Sequence, residues 1–137
     1  MADFDSPKDV VVEYIDAYNE RDLDRIEAVL AEEIEGEDGH ISRDSATDAI
    51  QAYWEAFPDC VIDIDQFVID DEMVTVRITF SGTHEGDYYG LEPTCNEFEV
   101  TEIMMWRVDG DKLDGYWPVW DEMGFYRQLG LVEHPRA

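Results

Sequence analysis

Residues 73–80 read MVTVRITF, and this octet decides the fold. Val74, Val76, Ile78 and Phe80 alternate with Thr75, Arg77 and Thr79, a period of two that sets apolar side chains on one face of a half-buried strand. Upstream the spacing is different. Val11, Tyr14, Ile15 and Tyr18 follow helical spacing, so one apolar stripe faces inward. Ser6-Pro7-Lys8-Asp9 is a good start for that helix, with a capping Ser, Pro at the first helical position and an acid at the third. Asp22 can cap a second helix carrying Leu23, Ile26, Val29 and Leu30. A third begins near Ser45, with Ala46, Ala49, Ile50, Tyr53, Trp54 and Phe57 on its buried side, and Pro58 ends it.

Downstream the period stays at two. Strands are expected at 60–69 (CVIDIDQFVI), 96–108 (NEFEVTEIMMWRV) and 112–120 (KLDGYWPVW), with turns at Asp70-Asp71-Glu72 and Asp109-Gly110-Asp111. A short helix over 121–129 closes at Gly130. Helices first and strands afterwards indicate an α+β domain, a curved antiparallel sheet with helices covering one face. Such a sheet can fold partly around a pocket whose mouth lies between sheet and helices. At 137 residues, one domain over 1–137 is expected.

Thirty-five acids face nine bases, for a net charge of −26, and Lys8 and Lys112 are the lysines. A field of that sign repels phosphate backbones and anionic lipid surfaces, so neither nucleic acid nor membrane is an expected partner. The acids are spread between apolar positions along the whole chain, which describes an acidic coat over an ordinary core. That coat suits a halophilic, cytoplasmic protein whose self-repulsion is screened by salt. No apolar run is long enough to span a membrane, and the N-terminus lacks a signal peptide's basic-then-apolar pattern. Cys60 and Cys95 are expected as free thiols. His40, His84 and His134 are too scattered for a zinc site. No phosphate-cradling glycine loop, nucleophile elbow or Cys-x-x-Cys pair is present, so neither a metal nor a cofactor is expected.

Three places hold chemical groups. If Phe98, Val100, Met104, Trp106 and Val108 share one face of a strand, period two puts Glu102 on that same apolar face. A carboxylate there has a raised pKa and serves as a general acid or base; alternatively a bulge turns Glu102 back to solvent. Asp121 stands where the last strand meets the last helix, as a second acid or as a helix cap. His84 lies in the fourteen-residue connection SGTHEGDYYGLEPT (81–94), far longer than a hairpin needs. That connection is either the lip of a cavity or a plain surface hairpin. Tyr14, Tyr18, Trp54, Tyr88, Tyr89, Trp106 and Trp117, with Tyr53, Tyr116 and Trp120, are candidate pocket linings, apolar rings with polar tips. Such a pocket suits proton transfer on an apolar, carbonyl-bearing small molecule, because a carboxylate moves the proton while an O–H or N–H steadies the enolate.

The segments YNERDLDRIEAVLAEEI (18–34), AIQAYWEAFPD (49–59), SGTHEGDYYGLEPT (81–94) and WDEMGFYRQLGL (120–131), in that order, resemble the SnoaL-like polyketide cyclase group of the nuclear-transport-factor-2-like superfamily. The resemblance covers nearly the whole chain. It implies a cone-shaped α+β barrel (the cystatin-like roll), often a homodimer, with a ligand cavity inside the cone. It also implies cofactor-free chemistry, in which an Asp acts as general acid/base for intramolecular aldol closure of a polyketide ester. His84 matches the group's loop histidine, and Asp121 matches the acid that ends its Trp-Asp-x-x-Asp stretch. Pro118 stands where relatives often carry the first of those acids, so the cyclase chemistry is either lost or moved to Glu102 or Asp121. A non-catalytic binding protein of the same fold is the alternative.

Overall fold

The computed structural model describes residues 4–131, and His134 lies outside the described residues. The first helix, α1, spans Pro7–Asn19 and buries Val10, Val11, Tyr14, Ile15, Ala17 and Tyr18. Pro7 opens it as expected, while the Ser6 side chain makes no capping bond. Helix α2 (Leu23–Val29) is capped by Asp22, which accepts the Arg25 amide at 3.3 Å. Leu30, expected to end α2, instead begins β1 (Leu30–Gly36), which turns back into β2 (Gly39–Ser42). This hairpin escaped the sequence reading because only Leu30 and Ile34 of β1 are buried, four residues apart, so no alternation of period two marks it. Helix α3 (Arg43–Ala56) starts slightly before the expected Ser45, with Ser42 accepting the Ser45 amide at 3.1 Å.

Strands β3 (Val61–Asp70), β4 (Met73–Thr83), β5 (Glu97–Asp109) and β6 (Lys112–Trp120) follow, and α4 (Glu122–Gln128) closes the chain. The six strands form one curved, open sheet in the order β2-β1-β6-β5-β4-β3. The α+β class and the helices over one sheet face are as the sequence predicts. Two details differ: the sheet does not close into a barrel, and β1 runs parallel to β6, so the sheet is mixed.

Register explains the core. The β4–β5 pairing runs unbroken from Met73 opposite Arg107 to Thr83 opposite Glu97. Val74, Val76, Ile78 and Phe80 therefore share a buried face with Phe98, Val100, Met104, Trp106 and Val108. Phe57, at the end of α3, is fully buried, with Phe98 at 4.9 Å, Tyr88 at 5.2 Å and Phe125 at 5.6 Å between ring centroids. Two ion-pair clusters brace the elements. Arg107 holds Asp114 at 2.7 Å and Glu35 at 3.0 Å, tying β5, β6 and β1, while Arg25 of α2 holds Glu13 of α1 at 2.9 Å. Both cysteines are free thiols, Cys60 buried and Cys95 exposed.

Candidate functional site

A cavity of about 260 Å³ opens between the concave face of the sheet and the helices. Tyr14 and Tyr18 reach it from α1, Ala46, Ala49, Ile50 and Tyr53 from α3. Leu30, Ile34 and Ile41 come from the β1–β2 hairpin, and Ile62 and Phe80 from β3 and β4. The β5–β6 pair contributes Glu102, Met104, Trp106, Tyr116, Pro118 and Trp120. Each of those six is an inward position of an antiparallel pair: Glu102 faces Trp120, Met104 faces Pro118, and Trp106 faces Tyr116. The same alternation turns Trp117 and Val119 outward.

Glu102 is the one carboxylate in this wall. No bulge interrupts β4–β5 or β5–β6 around it, so it stays among the apolar residues, as one of the two sequence readings requires. Tyr116 Oη donates to Glu102 Oε2 at 2.9 Å. Burial pushes the Glu102 carboxyl above the usual carboxylate range, and the Tyr116 hydrogen bond opposes that rise without cancelling it. The surrounding phenols respond in kind. Tyr14 and Tyr116 are raised by burial first and by the Glu102 charge second. They are therefore phenols, proton donors in hydrogen bonds, through the whole neutral range. The Trp106 ring stacks on Tyr116, with centroids 4.2 Å apart, and its Nε1–H is buried with no partner among the described residues. The site is an aromatic chamber with one carboxylate and the hydroxyls of Tyr14, Tyr18, Tyr53 and Tyr116 among its lining residues.

Of the candidates, Tyr14, Tyr18, Tyr53, Trp106, Tyr116, Trp120 and Glu102 line this cavity; Trp54, Tyr88, Tyr89, Trp117, His84 and Asp121 do not. Trp54 packs edge-on against Tyr18 and lies under the Arg21 guanidinium. Trp117 lies on the outer sheet face beneath Arg107. Tyr88 is buried against Tyr53, Phe57 and Phe125, and Tyr89 is 68% exposed. Asp121 is exposed and caps α4, its Oδ1 accepting the Gly124 amide at 2.9 Å.

His84 is wholly buried. Its Nδ1 accepts the Thr94 amide at 3.3 Å and lies 3.2 Å from Thr94 Oγ1, while its backbone bonds Asn96 and Cys95. It thus pins both ends of the 84–96 connection together. The Glu85 and Gly86 amides both donate to Ala56 O at 3.0 Å. Gly86 sits so close to α3 that a Cβ there would lie 2.1 Å from the Glu55 carbonyl oxygen. The connection is therefore packed down beside the cavity, against the end of α3. Tyr116, the partner of Glu102, was only one of ten aromatic candidates in the sequence. The register shifts between Arg107 and Val108, and counting back from the Asp109–Lys112 pair alone would set Tyr116 opposite Met105 on the outer face, so its place beside Glu102 is not legible by counting.

Comparisons with known proteins fit this geometry. AclR, a proposed hydroxylase from Streptomyces galilaeus, is 24% identical over 93% of this chain and 87% of its own, with a TM-score of 0.83. IdmH, a proposed polyketide cyclase from Streptomyces antibioticus, is 24% identical over 90% of this chain and 98% of its own, at 0.79. TsrD from Streptomyces laurentii is 23% identical over 96% of this chain and 100% of its own, at 0.83. At such identities these structures speak for the fold alone. No curated protein matches the sequence. Residues 8–129 match the SnoaL-like polyketide cyclase family, and with the match spanning nearly all of the chain, the protein belongs to that family.

Proposed function

We propose that this chain is a cofactor-independent enzyme that transfers protons on a carbonyl-bearing, mostly apolar small molecule, as a polyketide cyclase does in closing a ring by intramolecular aldol addition. The observation that carries the proposal is Glu102, a carboxylate raised by burial in the wall of an aromatic cavity, tuned toward the range where a general base works near neutral pH. Glu102 takes a proton from the carbon beside a carbonyl. The enolate oxygen is held by a wall donor, the Tyr14 hydroxyl. The enolate carbon bonds to a second carbonyl of the same molecule, and the alkoxide so formed recovers the proton from Glu102. Asp121 and His84 serve this scheme as supports, one capping α4 and the other anchoring the 84–96 connection.

The test needs no natural substrate. In D2O, the protein is expected to accelerate exchange of the α-protons of a simple aryl ketone such as propiophenone, followed by proton NMR, and Glu102→Gln is expected to abolish the acceleration. Wild-type exchange no faster than buffer would remove the enzyme. The pH dependence has a defined sign. The base form of Glu102 grows as pH rises through its raised pKa, so exchange climbs there. Tyr116→Phe deletes the bond that lowers that pKa, and the climb is expected to shift to higher pH. An unshifted profile would separate Tyr116 from the chemistry.

One observation favours the non-catalytic alternative. Pro118, which lines the cavity opposite Met104, supplies no acid where the resemblance expects one. A ligand bound tightly yet recovered unchanged after long incubation would support a binding protein.

The match over 8–129 and the one continuous apolar core support reading 1–137 as one domain. Among the described residues no helix is long and apolar enough to cross a membrane, and with the acidic coat this supports a halophilic, cytoplasmic setting. A second copy of the chain is the proposed cover for the outer sheet face. There Ile103 pairs with Val119, and Met105 with Trp117, in neighbouring rows, with Val119 74% and Ile103 45% exposed. So apolar a patch on so charged a chain supports reading this face as an interface. Sedimentation in high salt is expected to give twice the chain mass; a monomer at all concentrations would reject the dimer.

A further inference from the structure

We propose that the ligand of this cavity carries an ammonium group beside its carbonyl, held between aromatic faces and the Glu102 carboxylate. This names the substrate class of the site proposed above and rests on Glu102 being its working carboxylate. Four observations converge on it. First, the wall contains no Lys, Arg or His, and its one ionisable acid is Glu102. Second, Glu102 Oε2 accepts from Tyr116, whereas no hydrogen bond to Oε1 is found among the described residues. A half-buried carboxylate in an apolar wall with a single neutral donor lacks the countercharge that such a group ordinarily keeps. Third, Tyr14, Tyr18, Tyr53, Trp106, Tyr116 and Trp120 surround the same space. Aromatic faces attract a desolvated organic cation, and together with a carboxylate they form the chemistry that recognises ammonium. Fourth, Arg107, the basic residue nearest to Glu102 in sequence, is committed elsewhere, held by Glu35 and Asp114. The carboxylate is left for an incoming charge.

The field of the whole chain points the same way. A net charge of −26 favours approach of cations over anions. Salt screens that long-range bias, but a contact pair inside the cavity is screened far less. The chemistry gains as well. An ammonium one carbon from the carbonyl withdraws electrons from the intervening C–H, making it more acidic for Glu102 to remove. The same group would then fix the ligand and ease the proton transfer, while a carboxylate in its place would meet like charge with no cation in the wall.

Two ligands of nearly equal shape, the cationic phenacyltrimethylammonium and the neutral neopentyl phenyl ketone, with the smaller anionic benzoylacetate, separate the possibilities. Calorimetric titration of the wild type, in the salt that keeps the chain folded, is expected to show the ammonium binding at least about tenfold more tightly than the neutral ketone, with benzoylacetate weakest. Glu102→Gln is expected to bring the ammonium within about threefold of the ketone, whose own affinity stays unchanged. A preference that survives undiminished in Glu102→Gln would take the carboxylate out of the cation's site and overturn the proposal. Wild-type binding of the ketone as tight as that of the ammonium would overturn it too, while leaving the proton-transfer cavity intact. Failure of both to bind would remove the cavity as a site for such ligands, and the proposed function with it.

Discussion

Glu102→Gln is expected to lose about a hundred- to ten-thousand-fold of ketone α-proton exchange, the range a single general base contributes, without losing the fold. Gln has the shape of Glu and can still accept the Tyr116 hydroxyl that now lies 2.9 Å from Oε2, but it cannot take up a proton. Stability should move in the opposite direction to activity. The Glu102 pKa is raised in the folded state, so this carboxyl favours folding while protonated and disfavours it once pH passes its folded pKa. At neutral pH the Gln variant is therefore expected to be more stable than wild type. The gap should close in acid, where Glu102 is protonated. Thermal melts across pH measure it directly. A purely structural Glu102 would lose stability and activity together on substitution. Asp121→Asn is the matching control, because Asn caps helices as Asp does, and exchange should be unchanged.

Phe57→Ala is expected to cost about 3–5 kcal/mol, the usual range for deleting a buried aromatic ring. That is a large share of the roughly 5–15 kcal/mol that holds a typical domain folded. Phe57 is fully buried, and Tyr53, Phe80, His84, Tyr88, Phe98 and Phe125 all have ring centroids within 6.3 Å of its own. It joins the end of α3 to β4, β5, α4 and the 84–96 connection, so no single element can move in to fill the void. Denaturant unfolding at fixed salt reads the loss as a lower midpoint with an unchanged slope. A midpoint within error of wild type would mean that these rings are not packed as described.

Much of this architecture follows from patterns of one period each. The inward face of α1, the β4 octet and the position of Glu102 on β5 are all read by counting, because burial acts on every second or every third and fourth residue. Where burial is sparse the count fails. Only Leu30 and Ile34 of β1 enter the core, so the hairpin that supplies Ile41 to the cavity left no trace. The parallel β1–β6 pairing was equally hidden, since the partner strands are distant in sequence and nothing local encodes their meeting.

The site shows a different limit. His84, Asp121 and Tyr88 attract attention because their side chains can do chemistry, yet composition does not say which way a chain turns. The 84–96 connection folds back onto the Ala56 carbonyl, and its histidine spends Nδ1 on the Thr94 amide. Asp121 spends its carboxylate on the Gly124 amide. Glu102 alone of the three proposed catalytic residues was argued from its position in a pattern, and it is the one found in the cavity wall. Asp121 stands out by its strand–helix junction and His84 by its long connection, and the resemblance matches both, but their hydrogen bonds answer to backbone needs.

The most direct measurement is a carbon NMR titration of the glutamate side-chain carboxyls, with the Glu102 signal assigned by its loss in Glu102→Gln. The expected result is a Glu102 carboxyl that titrates above the exposed glutamates and moves higher still in Tyr116→Phe. A Glu102 that titrates with the exposed glutamates and ignores the loss of the Tyr116 hydroxyl would contradict the buried, tuned carboxylate on which the proposed chemistry stands.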